Sequence, residues 1–399
     1  MSGQNDKKAE YERLAKKYTP LLVLYPEIEK GPRSEYHHDV DNKPGPTGPR
    51  PGHPRDINLV LDNARLPVRA RFQDRELWRH RKGMTKRELL LEAMSRNKIS
   101  HIDLIDWHGP QQVDKFWNKY AEVMAKDKKG EDLIEDTEAT ALAKDTNKNY
   151  RRKAYARVVE GDKWFKDYIS IQYWLAYFFD DWANVHEMDW EMVSVILKKT
   201  DTTEEPVTCV FCSHIGAFRM PWKNVDKADE DGNRNPTELH PIAYVANGSH
   251  ASYFSDYPSY FNVSEPYLRS GLRTVIRALG IARPFTDYVP RFEEGVKLFP
   301  EIEVIPDEKD WTGEWRWLKF TGKWGSPVEL SFIGRFIARI PLIRHLPMFF
   351  QRPIQEAGPP GPGTRGTCWE NPFNWINLEC FDAPENQNWI GTQYQEKRV

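Results

Sequence analysis

One stretch limits the fold more than any other: HEMDWEMVSVIL, residues 186–197. Successive side chains of a β-strand point to opposite faces, so every second residue shares a face. One face of this strand would therefore carry two carboxylates followed by three apolar side chains. These residues are Asp189, Glu191, Val193, Val195 and Leu197. Burial of carboxylates beside apolar groups requires a partner that neutralises them.

The composition indicates a globular protein without a strong overall charge. The chain has 399 residues, with 57 Lys and Arg against 59 Asp and Glu, a net charge of −2. No overall field attracts it to nucleic acid. The start, MSGQNDKKAEYERLAKKY, lacks an apolar core of a signal peptide, and the longest apolar runs are shorter than the roughly 20 residues of a membrane span. We expect a cytoplasmic protein without a transmembrane span.

The cysteines allow two interpretations. Cys209 and Cys212 form a CxxC motif, and Cys368 and Cys380 follow far downstream, so four thiolates could bind zinc. However, VTCVFCSH has the pattern of a strand, in which residues three apart face opposite sides. We therefore favour ordinary core cysteines.

The chain is predicted to be a single mainly β domain over residues 1–399, a two-sheet sandwich. Residues 30–54 form a Pro- and Gly-rich loop, and residues 84–150 form a charged helical insertion. From Ala154 onward, short β-branched and aromatic segments separated by turns indicate strands. The Trp-rich segments near the C-terminal end could line a groove for a glycan or headgroup, but we favour a role in the core.

The segment PIAYVANGSHASYF predicts a hairpin. Asn247-Gly248 lies between two alternating segments, which is a strong signal for a two-residue turn. Such a turn would place Val245 opposite His250.

Residues 265–352 contain two basic amphipathic segments. In the first, a predicted helix over 265–283, Arg269, Arg273 and Arg277 form one stripe. Such segments are typical of helices on an anionic membrane surface, and would make the protein peripheral on an internal membrane. They are also typical of helices that pack an apolar face on a core, and the second interpretation is the more common one.

The acidic residues of the opening stretch indicate a metal site. Asp189 and Glu191 point the same way, and a turn at 187–188 would bring His186 to the same side. Asp180 completes the set if its strand is the neighbour. Oxygen-rich sets of this kind favour Mg²⁺, Ca²⁺ or Mn²⁺ over zinc. Alternatively, the carboxylates lie at an exposed strand end or pair with arginine.

Several motifs resemble the vacuolar protein sorting sixty-two-like proteins. They are HEMDWE and HPIAYVANGSHASYF, with PLLVLYPE, HPRDINLVL, YWLAYFF, CVFCSHIG, WLKFTGKWG and GPPGPG in the same order. The resemblance covers most of the chain, with residues 84–150 and 265–305 outside it. It implies that Ser249 and His250 lie near the cation, with His214 a further candidate.

HEMDWE also resembles the central motif of the necrosis- and ethylene-inducing-like proteins, in which Asp, His, Asp and Glu bind a divalent cation in a β-sandwich. This resemblance implies Asp180, His186, Asp189 and Glu191 as ligands. Asp181 competes with Asp180 for the first position.

Three functions are consistent with these features. In the first, the protein uses its cation to bind an anionic lipid headgroup or glycan at a membrane surface. In the second, it is a hydrolase whose cation activates water, with His250 or Glu187 as general base and Tyr253 or His214 polarising the substrate. In the third, it is a scaffold with a structural metal. The sequence leaves open whether the protein is an enzyme.

Overall fold

The computed structural model describes twelve parts of the chain. They are residues 2–27, 52–64, 84–104, 113–127, 142, 147–180, 186–213, 216–256, 259–261, 285–287, 289–325 and 358–376. His214, Asp181, Cys380, most of the 30–54 loop and both basic segments lie outside these residues.

The described residues form strands in the order β1 to β13, and most of them belong to two sheets. The strands are β1 Leu21–Leu24, β2 Lys153–Glu160, β3 Tyr168–Asp180, β4 His186–Lys199, β5 Glu204–Ser213, β6 Gly216–Pro221, β7 Lys227–Ala228, β8 His240–Val245, β9 Ser252–Tyr253, β10 Ser259–Phe261, β11 Phe285–Asp287, β12 Val296–Leu298 and β13 Glu301–Val304.

One sheet has six strands in the order β13-β2-β3-β4-β5-β6, and the other has five, β12-β1-β8-β7 with β9 on β8. Neighbouring strands are antiparallel except that β13 pairs with β2, and β1 with β8, in parallel. The predicted mainly β, two-sheet fold is confirmed. The strands β10 and β11 form a separate pair.

The space between the sheets contains an apolar core. Val193, Val195 and Leu197 of β4 contribute to it from the six-stranded sheet, and Ala243 and Val245 of β8 contribute from the other. From Asp189 onward, the alternation of β4 therefore directs odd-numbered residues inward, and Asp189 and Glu191 lie on the strand face that forms the inter-sheet core.

The outer face of the six-stranded sheet carries a second core that is rich in tryptophan. Trp190 stacks on Trp317 with ring centroids 5.5 Å apart, and both belong to a buried cluster that includes Trp324 and Trp369. The prediction that the tryptophans near the C-terminal end fill the core is confirmed for Trp317, Trp324 and Trp369.

Helices surround the sheets. They are α1 Ser2–Lys17, α2 Asn58–Asn63, α3 Lys86–Ser95, α4 Val113–Asp127, α5 Thr367–Glu370 and α6 Pro372–Trp375. A capping box starts α3, because the Thr85 hydroxyl accepts from the Glu88 N–H and the Glu88 carboxylate accepts from the Thr85 N–H. The buried side of α3, which includes Leu90 and Met94, joins the Trp-rich core.

A buried charged cluster joins the end of β1 to α4. The Glu27 carboxylate accepts from Arg55 and, at 2.6 Å, from the Tyr120 hydroxyl. His53 Nδ1 lies 3.6 Å from Glu27 Oε2. Burial alone would raise the pKa of Glu27, but the charges of Arg55, His53 and Arg152 and the Tyr120 hydrogen bond lower it to about 2.

Within the described residues, no helix combines the length and apolar character that crossing a bilayer requires.

Candidate metal centre

The candidate site lies where the ends of β3 and β4 face the hairpin between β8 and β9. Asp180, Asp189 and His250 each offer a ligand atom, and these atoms lie within 4.8 Å of one another. All three side chains are buried, with exposures of 2%, 5% and 1%. Both sheets therefore contribute to one cluster of side chains that could bind a metal ion.

A shared irregularity in β3 and β4 brings Asp180 to the inner face. Up to Tyr177, odd-numbered residues of β3 face inward, but Phe178 and Phe179 both belong to the outer core. The next residue, Asp180, consequently returns to the inner face.

The same irregularity occurs on β4. Met188 has a φ of +52°, in the left-handed region. Met188 belongs to the outer core, and the Glu187 carboxylate on the same side accepts from the Leu104 N–H at 3.2 Å. His186 then lies opposite Asp180, with Nε2 3.6 Å from Asp180 Oδ2. β4 continues through residues 187 and 188, so an irregularity inside the strand, and not the turn predicted from the sequence, places His186 on the side of Asp180.

Met188 also orients the His186 ring. His186 Nδ1 lies 2.6 Å from the Met188 carbonyl oxygen. Because a carbonyl only accepts, Nδ1 carries the proton and Nε2 is directed toward Asp180. This contact fixes the plane of the imidazole beside the cluster.

Asp189 has partners on both oxygens. Oδ1 accepts from the Trp190 N–H at 2.8 Å, and Oδ2 lies 3.3 Å from His250 Nδ1. Burial alone would raise the pKa of Asp189, but the His250 hydrogen bond and the charges of His186, His250 and Arg365 lower it below its ordinary value. Asp189 is therefore a carboxylate able to bind a cation.

His250 reaches Asp189 because the hairpin is longer than predicted. Val245 lies opposite Ser252, not His250, so the predicted register is wrong. Six residues lie between the strands. The Ala246 N–H donates to the Ala251 carbonyl at 2.9 Å, and this hydrogen bond encloses a turn of four residues, 247–250. Gly248 and His250 have φ values of +85° and +55°. Because of this left-handed conformation, His250 lies in the turn and does not pair with a residue of the neighbouring strand.

Tyr177 forms the apolar wall of the site. Its ring stacks on the His250 imidazole with centroids 4.0 Å apart and planes 9° apart. Burial raises the pKa of Tyr177 well above its ordinary value, and the carboxylates of Glu191 and Asp189 raise it further. No sequence motif distinguishes this residue, because it lies in a long apolar strand.

The other residues of the sequence-based hypothesis occupy different places. Glu191 is on the face of Asp189 and 9% exposed, but it is not part of the cluster of three found among the described residues. Ser249 is buried in the turn. Tyr253 lies opposite Tyr244 and packs against Phe218 on the far face of the five-stranded sheet.

The cysteines of the CxxC motif lie on opposite faces, as predicted. Cys209 belongs to the inner core and Cys212 packs against the outer one. Burial raises the pKa values of both thiols, and also raises that of Cys368 to about 11. Protonated thiols at these places are core residues, consistent with the favoured interpretation.

No protein-family model and no curated protein matches the chain. The chain is similar to the crystal structure of the non-toxic HaNLP3 protein, a necrosis- and ethylene-inducing-like protein, with 15% identity and a TM-score of 0.22. The match covers 52% of this chain and 80% of that one. Because the identity and the TM-score are both low, the fold is assigned from the strand pairing alone.

Proposed function

We propose that this protein binds one divalent cation through Asp180, Asp189 and His250 and uses it to hold an anionic lipid headgroup. The observation that carries the proposal is the convergence of three ligand atoms from two sheets within 4.8 Å. Two carboxylates and an imidazole concentrate negative charge in a buried place, which a cation would neutralise.

The ligand set favours some cations over others. Carboxylate oxygens are typical ligands of Mg²⁺, Ca²⁺ and Mn²⁺, whereas imidazole suits the transition metals. Mn²⁺ accepts both kinds of ligand and is therefore the best probe. His186 would orient Asp180 from its second side, and Glu191 would approach the cation through an intervening water.

The motifs HEMDWE and YVANGSHASYF support a relationship to the vacuolar protein sorting sixty-two-like proteins. The cation would bridge to the headgroup phosphate, and the stripe of Arg269, Arg273 and Arg277 would add attraction to an anionic surface. A glycan with an acidic group is the other ligand with this chemistry.

The hydrolase alternative has less support from the geometry. Glu187, one of the two suggested bases, accepts a hydrogen bond from the Leu104 N–H on the outer side of the six-stranded sheet. His250 is on the inner side, but its Nδ1 already contacts Asp189. A general base needs a position from which it can reach the attacked water.

The first experiment is the metal content of the purified protein, measured by mass spectrometry beside the double variant Asp189→Asn/Glu191→Gln. We expect about one equivalent of Mn, Mg or Ca in the wild type after incubation with cation, and none in the variant. Absence of metal from both the wild type and the double variant would contradict the proposed cation site.

Flotation with phosphatidylserine vesicles then tests the lipid. We expect wild-type protein to float with Mn²⁺ and to remain in the dense fraction with EDTA. The triple variant Arg269→Glu/Arg273→Glu/Arg277→Glu should float less. Flotation that is equal under all these conditions would contradict lipid binding, and binding of acidic glycans without flotation would identify the other ligand.

A further inference from the structure

Tyr177 lies beside the candidate metal centre. It lies directly opposite Asp189 on the neighbouring strand, and its ring stacks on His250. The residue therefore contacts one suggested ligand and faces another. The ring is fully buried at 0% exposure.

The hydroxyl of Tyr177 is buried and makes no hydrogen bond to any described residue. A second tyrosine on the same strand and face provides a comparison, because the Tyr173 hydroxyl donates to the Ala15 carbonyl at 2.9 Å. A buried hydroxyl without a partner lowers stability, so nearly all such groups are paired. The hydroxyl of Tyr177 is therefore available to pair with an oxygen that a ligand brings.

The surroundings identify the kind of partner. Tyr177 pairs with Asp189 across the two strands, on the inner face, and its ring lies against His250, so the phenol borders the suggested ligands. A divalent cation with three protein ligands keeps water or a ligand oxygen in its remaining positions. A phenol both donates and accepts, and is suited to bind such an oxygen.

We propose that Tyr177 is a positioning residue of the metal centre, whose ring fixes the plane of His250 and whose hydroxyl forms a hydrogen bond with the oxygen ligand that completes the cation's shell. This inference rests on the proposed cation site. It assigns two tasks to one side chain, and the two tasks can be separated by substitution.

Tyr177→Phe keeps the stacking ring and removes the hydroxyl. We expect Mn²⁺ binding to weaken about tenfold, the effect typical of losing a hydrogen bond around a metal. Free Mn²⁺ counted by electron paramagnetic resonance during titration gives the dissociation constant. Tyr173→Phe is the matched control and should leave the constant unchanged.

Thermal unfolding without metal provides an independent readout. Tyr173→Phe should lower the melting temperature, because it removes a made hydrogen bond. Tyr177→Phe should leave it unchanged or raise it, because it removes a hydroxyl that lacks a partner. A purely structural tyrosine would give the opposite pattern, with lower stability and unaltered Mn²⁺ binding.

Introduction of 4-aminophenylalanine in place of Tyr177 restores a polar group that donates and accepts. We expect Mn²⁺ affinity to return to within about threefold of wild type. Equal Mn²⁺ affinity of wild type and Tyr177→Phe, or no recovery with the amine, would overturn this inference alone. Absence of Mn²⁺ binding by the wild type would overturn the cation site as well.

Discussion

His250 lies on the turn between two strands of the five-stranded sheet and Asp189 lies on the six-stranded sheet, yet His250 Nδ1 is 3.3 Å from Asp189 Oδ2. The contact connects the two sheets near the start of β4 and joins the β8–β9 hairpin to that strand. Because the two sheets meet in a polar contact here, a cation at this point would link them directly.

Asp189→Asn should abolish the stabilisation of the fold by added Mn²⁺. A cation at 100 times its dissociation constant stabilises the wild type by about 3 kcal/mol. We expect Mn²⁺ to raise the melting temperature of the wild type but not that of Asp189→Asn. The control Glu205→Gln, which changes an exposed carboxylate on β5, should respond like the wild type. A full response of Asp189→Asn would show that this carboxylate is not a ligand.

His186→Ala should weaken Mn²⁺ binding without abolishing it. His186 lies 3.6 Å from Asp180 and is held by Met188, so its loss should free Asp180 to move. Loss of such an orienting group typically lowers metal affinity about 10- to 100-fold. Isothermal titration with Mn²⁺ would measure it, and an affinity as low as that of Asp189→Asn would instead make His186 a direct ligand.

Gly248→Ala should perturb the hairpin and the site together. Gly248 has a φ of +85°, which an alanine adopts at a cost of about 1–2 kcal/mol. We expect lower stability in urea unfolding and weaker Mn²⁺ binding, because the same turn places His250. Gly313→Ala is the matched control, since Gly313 also has a positive φ, of +54°, but lies away from the site. Equal Mn²⁺ affinity of both variants would show that the conformation of this turn does not affect the metal site.

Glu27→Gln should show its largest effect at neutral pH and a smaller one in acid. The folded-state pKa of about 2 lies below the ordinary value of 4.5, so the ionised carboxylate stabilises the fold above pH 4.5. This contribution, on the order of 3 kcal/mol, is lost as the pH falls toward 2.

Urea unfolding of wild type and Glu27→Gln between pH 7 and pH 3 would measure this change. Their difference in free energy of unfolding should shrink below pH 4.5. The control is Glu301→Gln, whose exposed pair with Arg151 should contribute at most about 1 kcal/mol. A difference that stays constant with pH would contradict the ionised state of Glu27.

The alternation of β4 was predictable because its pattern is local. Val193, Val195 and Leu197 indicate the inward face, and Asp189 follows from the same period of two. The strands over β2, β3 and β5 were predicted from β-branched and aromatic runs for the same reason. The sheet partners of β1 were not, since its neighbours β8 and β12 are distant in sequence.

The candidate site was only partly predictable. The paired irregularity at Phe178-Phe179 and Glu187-Met188 arises between two strands, and neither strand shows it alone. The position of His250 depends on a four-residue turn, whereas Asn247-Gly248 has the usual signature of a two-residue turn. The suggested role of Tyr177 depends on its contact with His250. The sequence around it resembles an ordinary aromatic strand, so this role could not be predicted.

The long sequence separation between β1 and its two partner strands has a consequence for the order of folding. During synthesis β1 emerges first, but its partner β8 is more than 200 residues downstream and β12 is further still. The hairpin that carries His250 can therefore join a complete sheet only after most of the chain has left the ribosome. Asp180 and Asp189, on adjacent strands, can meet much earlier. Metal binding at this centre would therefore occur only late in folding, after the two sheets have packed against each other.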